Sequence, residues 1–62
     1  METLYFTIIN WSQGIYGEIF DESGKTVSQT KLCNTTDRAR ELINNFADCY
    51  DCNLIERNLI GK

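Results

Sequence analysis

One stretch of this chain repeats its apolar residues at helical spacing. Ala39, Leu42, Ile43, Phe46, Ala47 and Tyr50 fall at i, i+3, i+4, i+7, i+8 and i+11, one continuous apolar face. Arg38, Arg40, Glu41, Asn44, Asn45 and Asp48 occupy the other side. Asn34 and Thr35 are both good N-caps, and Asp37 suits the positive end of the helix dipole. A chain of 62 residues has room for one hydrophobic core. That core must be built by laying this helix on whatever the rest of the chain forms.

What precedes the helix alternates with period 2. In residues 2–10, Leu4, Phe6 and Ile8 share one face, and Thr3, Tyr5, Thr7 and Ile9 share the other. Large side chains on both faces predict a central strand. Residues 10–14, with glycine at position 14, read as a turn. Residues 15–20 read as a second strand, with Tyr16 and Phe20 on one face and Ile15, Gly17 and Ile19 on the other. A glycine inside a strand marks a bulge or a close backbone approach. Asp21-Glu22-Ser23-Gly24 reads as a hairpin loop. Residues 25–32, polar on both faces in the middle, suit an edge strand.

The tail, residues 52–60, has two readings. Asn53 with Glu56, followed by Gly61, resembles a capped short helix. A fourth strand, parallel to the first and reached by a right-handed crossover, would cover an otherwise open apolar edge, and this is the favoured expectation. The chain is thus expected to be a single α+β domain spanning 1–62. Its order is β-β-β-α-β (alternative β-β-β-α-α), with a small single-layer sheet, antiparallel through its first three strands, and one helix on one face.

The Asp21-Glu22-Ser23-Gly24-Lys25 hairpin and the helix start from Thr35 to Ala39 give this order a resemblance to the opening half of ribonuclease H-like folds. It is also similar to small HicB-type antitoxins. The resemblance is architectural. Residues 3–10 hold no acidic residue to match the one ribonuclease H-like enzymes carry on their first strand, so no catalytic residue transfers.

Composition narrows the function. The chain has no histidine and a formal charge of −3. Histidine-based triads, general bases and zinc ligands are therefore absent. There is no phosphate-binding glycine loop and no nucleophile beside a base, so no enzyme is expected. Scattered basic residues in an acidic chain argue against direct nucleic-acid binding. No apolar run is long enough to span a bilayer, and no signal peptide is legible, which predicts a cytoplasmic protein without cofactor.

Cys49-Tyr50-Asp51-Cys52 is the one short motif with chemistry in it. It falls at a helix C-terminus, where the dipole disfavours a thiolate, and Asp48 and Asp51 disfavour it further. Packing is the favoured reading for the cysteines. A metal- or redox-linked module through Cys49 and Cys52 is the alternative.

The leading expectation is a small acidic protein-binding module, an inhibitor or antitoxin-type protein, phage-encoded or otherwise. It would block a basic or nucleic-acid-binding surface of a target protein. Its candidate partner-binding residues are Trp11, Tyr5, Tyr16, Asp48, Asp51 and Glu56. A homo-oligomeric structural or regulatory module, in the simplest case a homodimer, is the second reading, paired through the sheet face that carries Tyr5, Thr7, Ile9 and Tyr16 or through the polar edge strand at residues 26–31.

Overall fold

The computed structural model describes residues 2–57. Three strands come first: β1 (Thr3–Trp11), β2 (Gly14–Phe20) and β3 (Thr26–Gln29). The helix α1 (Thr36–Tyr50) follows, and then the strand β4 (Asn53–Glu56). The sheet order is β3-β2-β1-β4, with β1 antiparallel to β2 and parallel to β4. This is the expected β-β-β-α-β order, a mixed sheet with one helix. The tail is a strand as far as it is described. The expected strand residues 58–60 lie outside the described residues.

Local chemistry explains most boundaries. Thr35 is the N-cap, and its side chain accepts from the Arg38 N–H at 3.1 Å. At the other end Asp51 takes the left-handed conformation, with φ 53° and ψ 51°. The N–H groups of Asp51 and Cys52 both donate to the Ala47 carbonyl, closing the helix. The hairpin between β2 and β3 is organised by Asp21, whose Oδ1 accepts from the Ser23 N–H, the Ser23 hydroxyl and the Lys25 N–H. Gly24, at φ 93°, supplies the positive φ this loop needs.

Two elements depart from expectation. The first turn is only Ser12-Gln13, because Trp11 pairs with Gly14 and extends β1. The ladder of β3 stops at Gln29, short of the expected 32. There Thr30 intervenes: its hydroxyl accepts the Gly17 N–H at 2.9 Å, where a strand would offer a carbonyl. The chain still runs beside β2 to a final bridge between Ile15 and Cys33.

The core lies between α1 and one sheet face. Leu4, Ile19, Ile43 and Cys52 form its buried centre, flanked by Phe6, Ile8, Phe46 and Leu54. Gly17 is a close-approach glycine: a Cβ there would meet Ile43 Cδ1 at 2.7 Å and Cγ1 at 2.9 Å. Tyr50, expected on the buried stripe, is 68 % exposed. Cys52 fills the core at that end instead.

Two substitutions test these features by chemical denaturation. Gly17→Ala is expected to destabilise by about 1–3 kcal/mol, because Ile43 is buried and has little room to yield. An unchanged midpoint would show that the helix is not seated on Gly17. Asp51→Gly is expected to stabilise by about 0.5–1 kcal/mol, since glycine adopts the left-handed conformation without a Cβ penalty. Loss of stability would show that the Asp51 side chain supports the helix end.

Candidate protein-binding surface

The topology decides where the charges fall. β1 starts where β2 ends, since Tyr5 pairs with Phe20. β4 starts beside the same end of β1, since Thr3 pairs with Asn53. The crossover helix must therefore finish there. Glu2, Asp21, Glu22, Asp48 and Asp51, five of the nine acidic residues, meet at this end. Lys25 is the one basic residue beside them among the described residues. The helix C-terminus adds its partial negative charge, with no basic residue in the last turn. Hydrogen bonding holds the Asp21 carboxyl below its ordinary range, chiefly from the Ser23 hydroxyl and then from the Lys25 N–H.

The rest of the molecule is nearly balanced. Arg38 pairs with Glu41 at 2.7 Å. Arg40 holds Glu56 with two bonds, at 2.8 and 2.9 Å. Arg57 lies over the Tyr5 ring, 4.6 Å from its centroid. Glu18 accepts the Thr26 hydroxyl. Among the described residues the excess negative charge is therefore concentrated at one pole.

This pole divides the six candidate partner residues. Asp48 and Asp51 are exposed and lie together on it. Glu56 does not extend them. It sits with Arg40, eight residues before Asp48 on α1, which is about 12 Å along the axis. Trp11 and Tyr16 line one shallow hollow with Leu32 at the far end of β1. Trp11 is 49 % exposed. Tyr5 shares the helix-free face with Tyr16, as its strand parity requires. Its ring stacks on Phe20, 6.0 Å between centroids, and lies under Arg57. The nine residues of β1 span roughly 26 Å, so Trp11 and Asp51 face opposite ends of the molecule.

Glu2, Asp21 and Glu22 are not among the candidate partner residues read from sequence, because only the sheet register brings them beside Asp48. A second feature, equally silent in sequence, adjoins the pole. Leu4, Val27, Ser28, Phe46, Tyr50 and Cys52 line a hollow that Glu2 borders.

The cysteines are all free thiols. Cys52 is buried and Cys49 exposed. Burial pushes the Cys52 thiol up, and Glu2 and Asp51 push it further, so this site opposes thiolate formation. Among the described residues no His/Cys/Asp/Glu group is arranged to hold a metal ion. No described helix is long and apolar enough to cross a membrane.

Comparison with protein-family models, with curated proteins and with solved structures gives no match to this chain.

The Arg40–Glu56 pair carries a pH prediction. Hydrogen bonding from Arg40 lowers the folded-state pKa of Glu56. Its contribution is then fully present above the ordinary glutamate range and lost as pH falls through the lowered folded value. Glu56→Gln should melt below the wild type at neutral pH, and the gap should close in strong acid. A gap of constant size across that range would remove the ion pair as its source.

Proposed function

We propose that this protein is a small protein-binding module that docks on a basic surface of a target protein, as an inhibitor or antitoxin does when it occludes a nucleic-acid-binding face. The observation that carries this reading is the pole itself. Glu2, Glu22, Asp48 and Asp51 are exposed there, beside a helix C-terminus without a basic residue in its last turn. Such a field raises encounter rates with a cationic surface and repels nucleic acid from the same spot. The pole also lies beside apolar side chains, which can supply the affinity that exposed charge does not.

A second reading rests on a different observation. The helix-free sheet face carries Tyr5, Ile9, Tyr16 and exposed Trp11 and Ile55, a surface suited to a second copy of the chain. It predicts a dimer that does not depend on the acidic residues.

The test uses affinity capture of the target with wild type, with Glu22→Gln/Asp48→Asn/Asp51→Asn, and with Trp11→Ala/Tyr16→Ala. The charge variant should lose the target, and the wild-type association rate should fall as salt is raised. The aromatic variant should retain it. A target held equally by the charge variant, at a rate indifferent to salt, overturns the reading.

A further inference from the structure

The helix covers only part of its side of the sheet. α1 packs across β2, β1 and β4 and makes no close backbone approach to β3. On the helix-bearing face this leaves a slot between α1 and the edge strand. Two hollows of about 350 and 380 Å³ occupy it, and both are lined by Phe46 and Tyr50. Val27 and Ser28 form the strand wall. Leu42 and Cys49 continue the helix wall. Val27 is 50 % exposed, and Tyr50, its ring tilted against that of Phe46 with 4.5 Å between centroids, is 68 % exposed. Large apolar side chains thus line an open channel in the layer that α1 occupies.

We propose that this slot is the docking groove for an amphipathic basic helix of the target protein. The inference rests on the acidic-pole reading and specifies how the partner sits. Helices in one layer pack side by side at roughly 8–10 Å, so a second helix beside α1 fills the space above β3. Charge complementarity sets both its composition and its direction. Glu2 borders one end of the slot, and Asp51 caps α1 beside Cys52, which also lines that end. Lys31 stands at the other end. A partner helix running antiparallel to α1 puts its positive N-terminal dipole and its Lys or Arg residues at the acidic end. Its C-terminal carbonyls then lie near Lys31. Its apolar anchors repeat at i, i+3 or i+4, and i+7, facing Val27, Phe46 and Tyr50.

The test titrates the isotope-labelled full chain with two peptides of roughly 15 residues, the length of α1. One is an amphipathic leucine–lysine helix. The other has the same composition, scrambled to break the apolar face. The amphipathic peptide should bind about ten-fold tighter, with NMR shift changes at Val27, Ser28, Cys49 and Tyr50. Val27→Thr/Tyr50→Ser, at two exposed positions, should keep the wild-type melting behaviour and remove that preference. Equal binding of both peptides, with shifts confined to Glu2, Glu22, Asp48 and Asp51, overturns the groove and leaves the acidic pole standing. No binding of either peptide overturns both. Concentration-dependent shifts at the groove without peptide show that its occupant is a second copy, which also overturns the proposal.

Discussion

The contact between Ile43 and the backbone of Gly17 sets how closely α1 can lie on the sheet, and much else follows from it. Ile43 is buried against a position without a Cβ, so the helix settles onto β2 rather than riding above it. That seat lets the short core close. Leu4, Ile19 and Cys52 reach Ile43, and Phe6, Phe46 and Leu54 pack around them. A helix centred there covers β2, β1 and β4. It also leaves β3 without a roof, and the slot beside α1 is the geometric remainder of that choice. Gly17 serves the edge as well. Its N–H donates to the Thr30 hydroxyl oxygen, and its carbonyl accepts the Thr30 N–H at 2.8 Å. One residue therefore fixes both the layer spacing and the point where the β3 ladder gives way to a looser extended run.

Local signals were legible in the sequence, and non-local ones were not. The helix, its Thr35 cap and the Asp21–Gly24 hairpin depend on residues close in the chain, and each is readable from spacing and side-chain chemistry. The parity of Tyr5, Tyr16 and Phe20 was readable for the same reason, since a strand alternates faces by construction. The failures share an opposite cause. Trp11 reads as a turn residue until Gly14 is known to face it. Thr30 reads as an ordinary strand residue until its hydroxyl is seen to reach Gly17, thirteen positions away. Tyr50 completes a helical stripe on paper, yet it lines the open slot beside β3 and stays exposed, while Cys52 fills that end of the core. Of the site, Asp48 and Asp51 were legible as a local charge placed against the helix dipole. Their neighbours Glu2, Asp21 and Glu22 were hidden, because only the register joins residues so far apart in sequence.

That gathering is a consequence of strand direction and order rather than of composition. Antiparallel hairpins place successive loops at alternate ends. A parallel β4 requires the crossover to return the chain to the start of β1. The helix must run against β1, so its C-terminus, the N-terminal residues and the second hairpin share one end. Any acidic residues at these three places converge. Here they number five, and the placement is locally costly: Asp48 and Asp51 each oppose the helix dipole by roughly 0.3–1 kcal/mol at low salt. In a protein this small such a cost is a sizeable part of the net stability. Asp51 has a structural reason for its position, since aspartate tolerates the left-handed cap better than most residues. Asp48 has no hydrogen-bonding duty of that kind among the described residues, and its charge is free to act on what approaches.

Screening decides what an approaching surface would feel. At physiological salt exposed charges act over roughly 8 Å, well short of the ~26 Å between the two ends of β1. The arginines near the helix start, already paired with Glu41 and Glu56, do not dilute the field at the other end. The relevant quantity is thus the charge of the pole and not the formal −3 of the chain. Exposed charge alone gives fast encounter and little residence, because each pair is worth at most about 1 kcal/mol in water. Residence needs desolvated apolar area, and Val27, Phe46 and Tyr50, in the hollow that Glu2 borders, offer it. Charge at the mouth and aromatic surface within the slot divide the work between association rate and lifetime, and neither performs both.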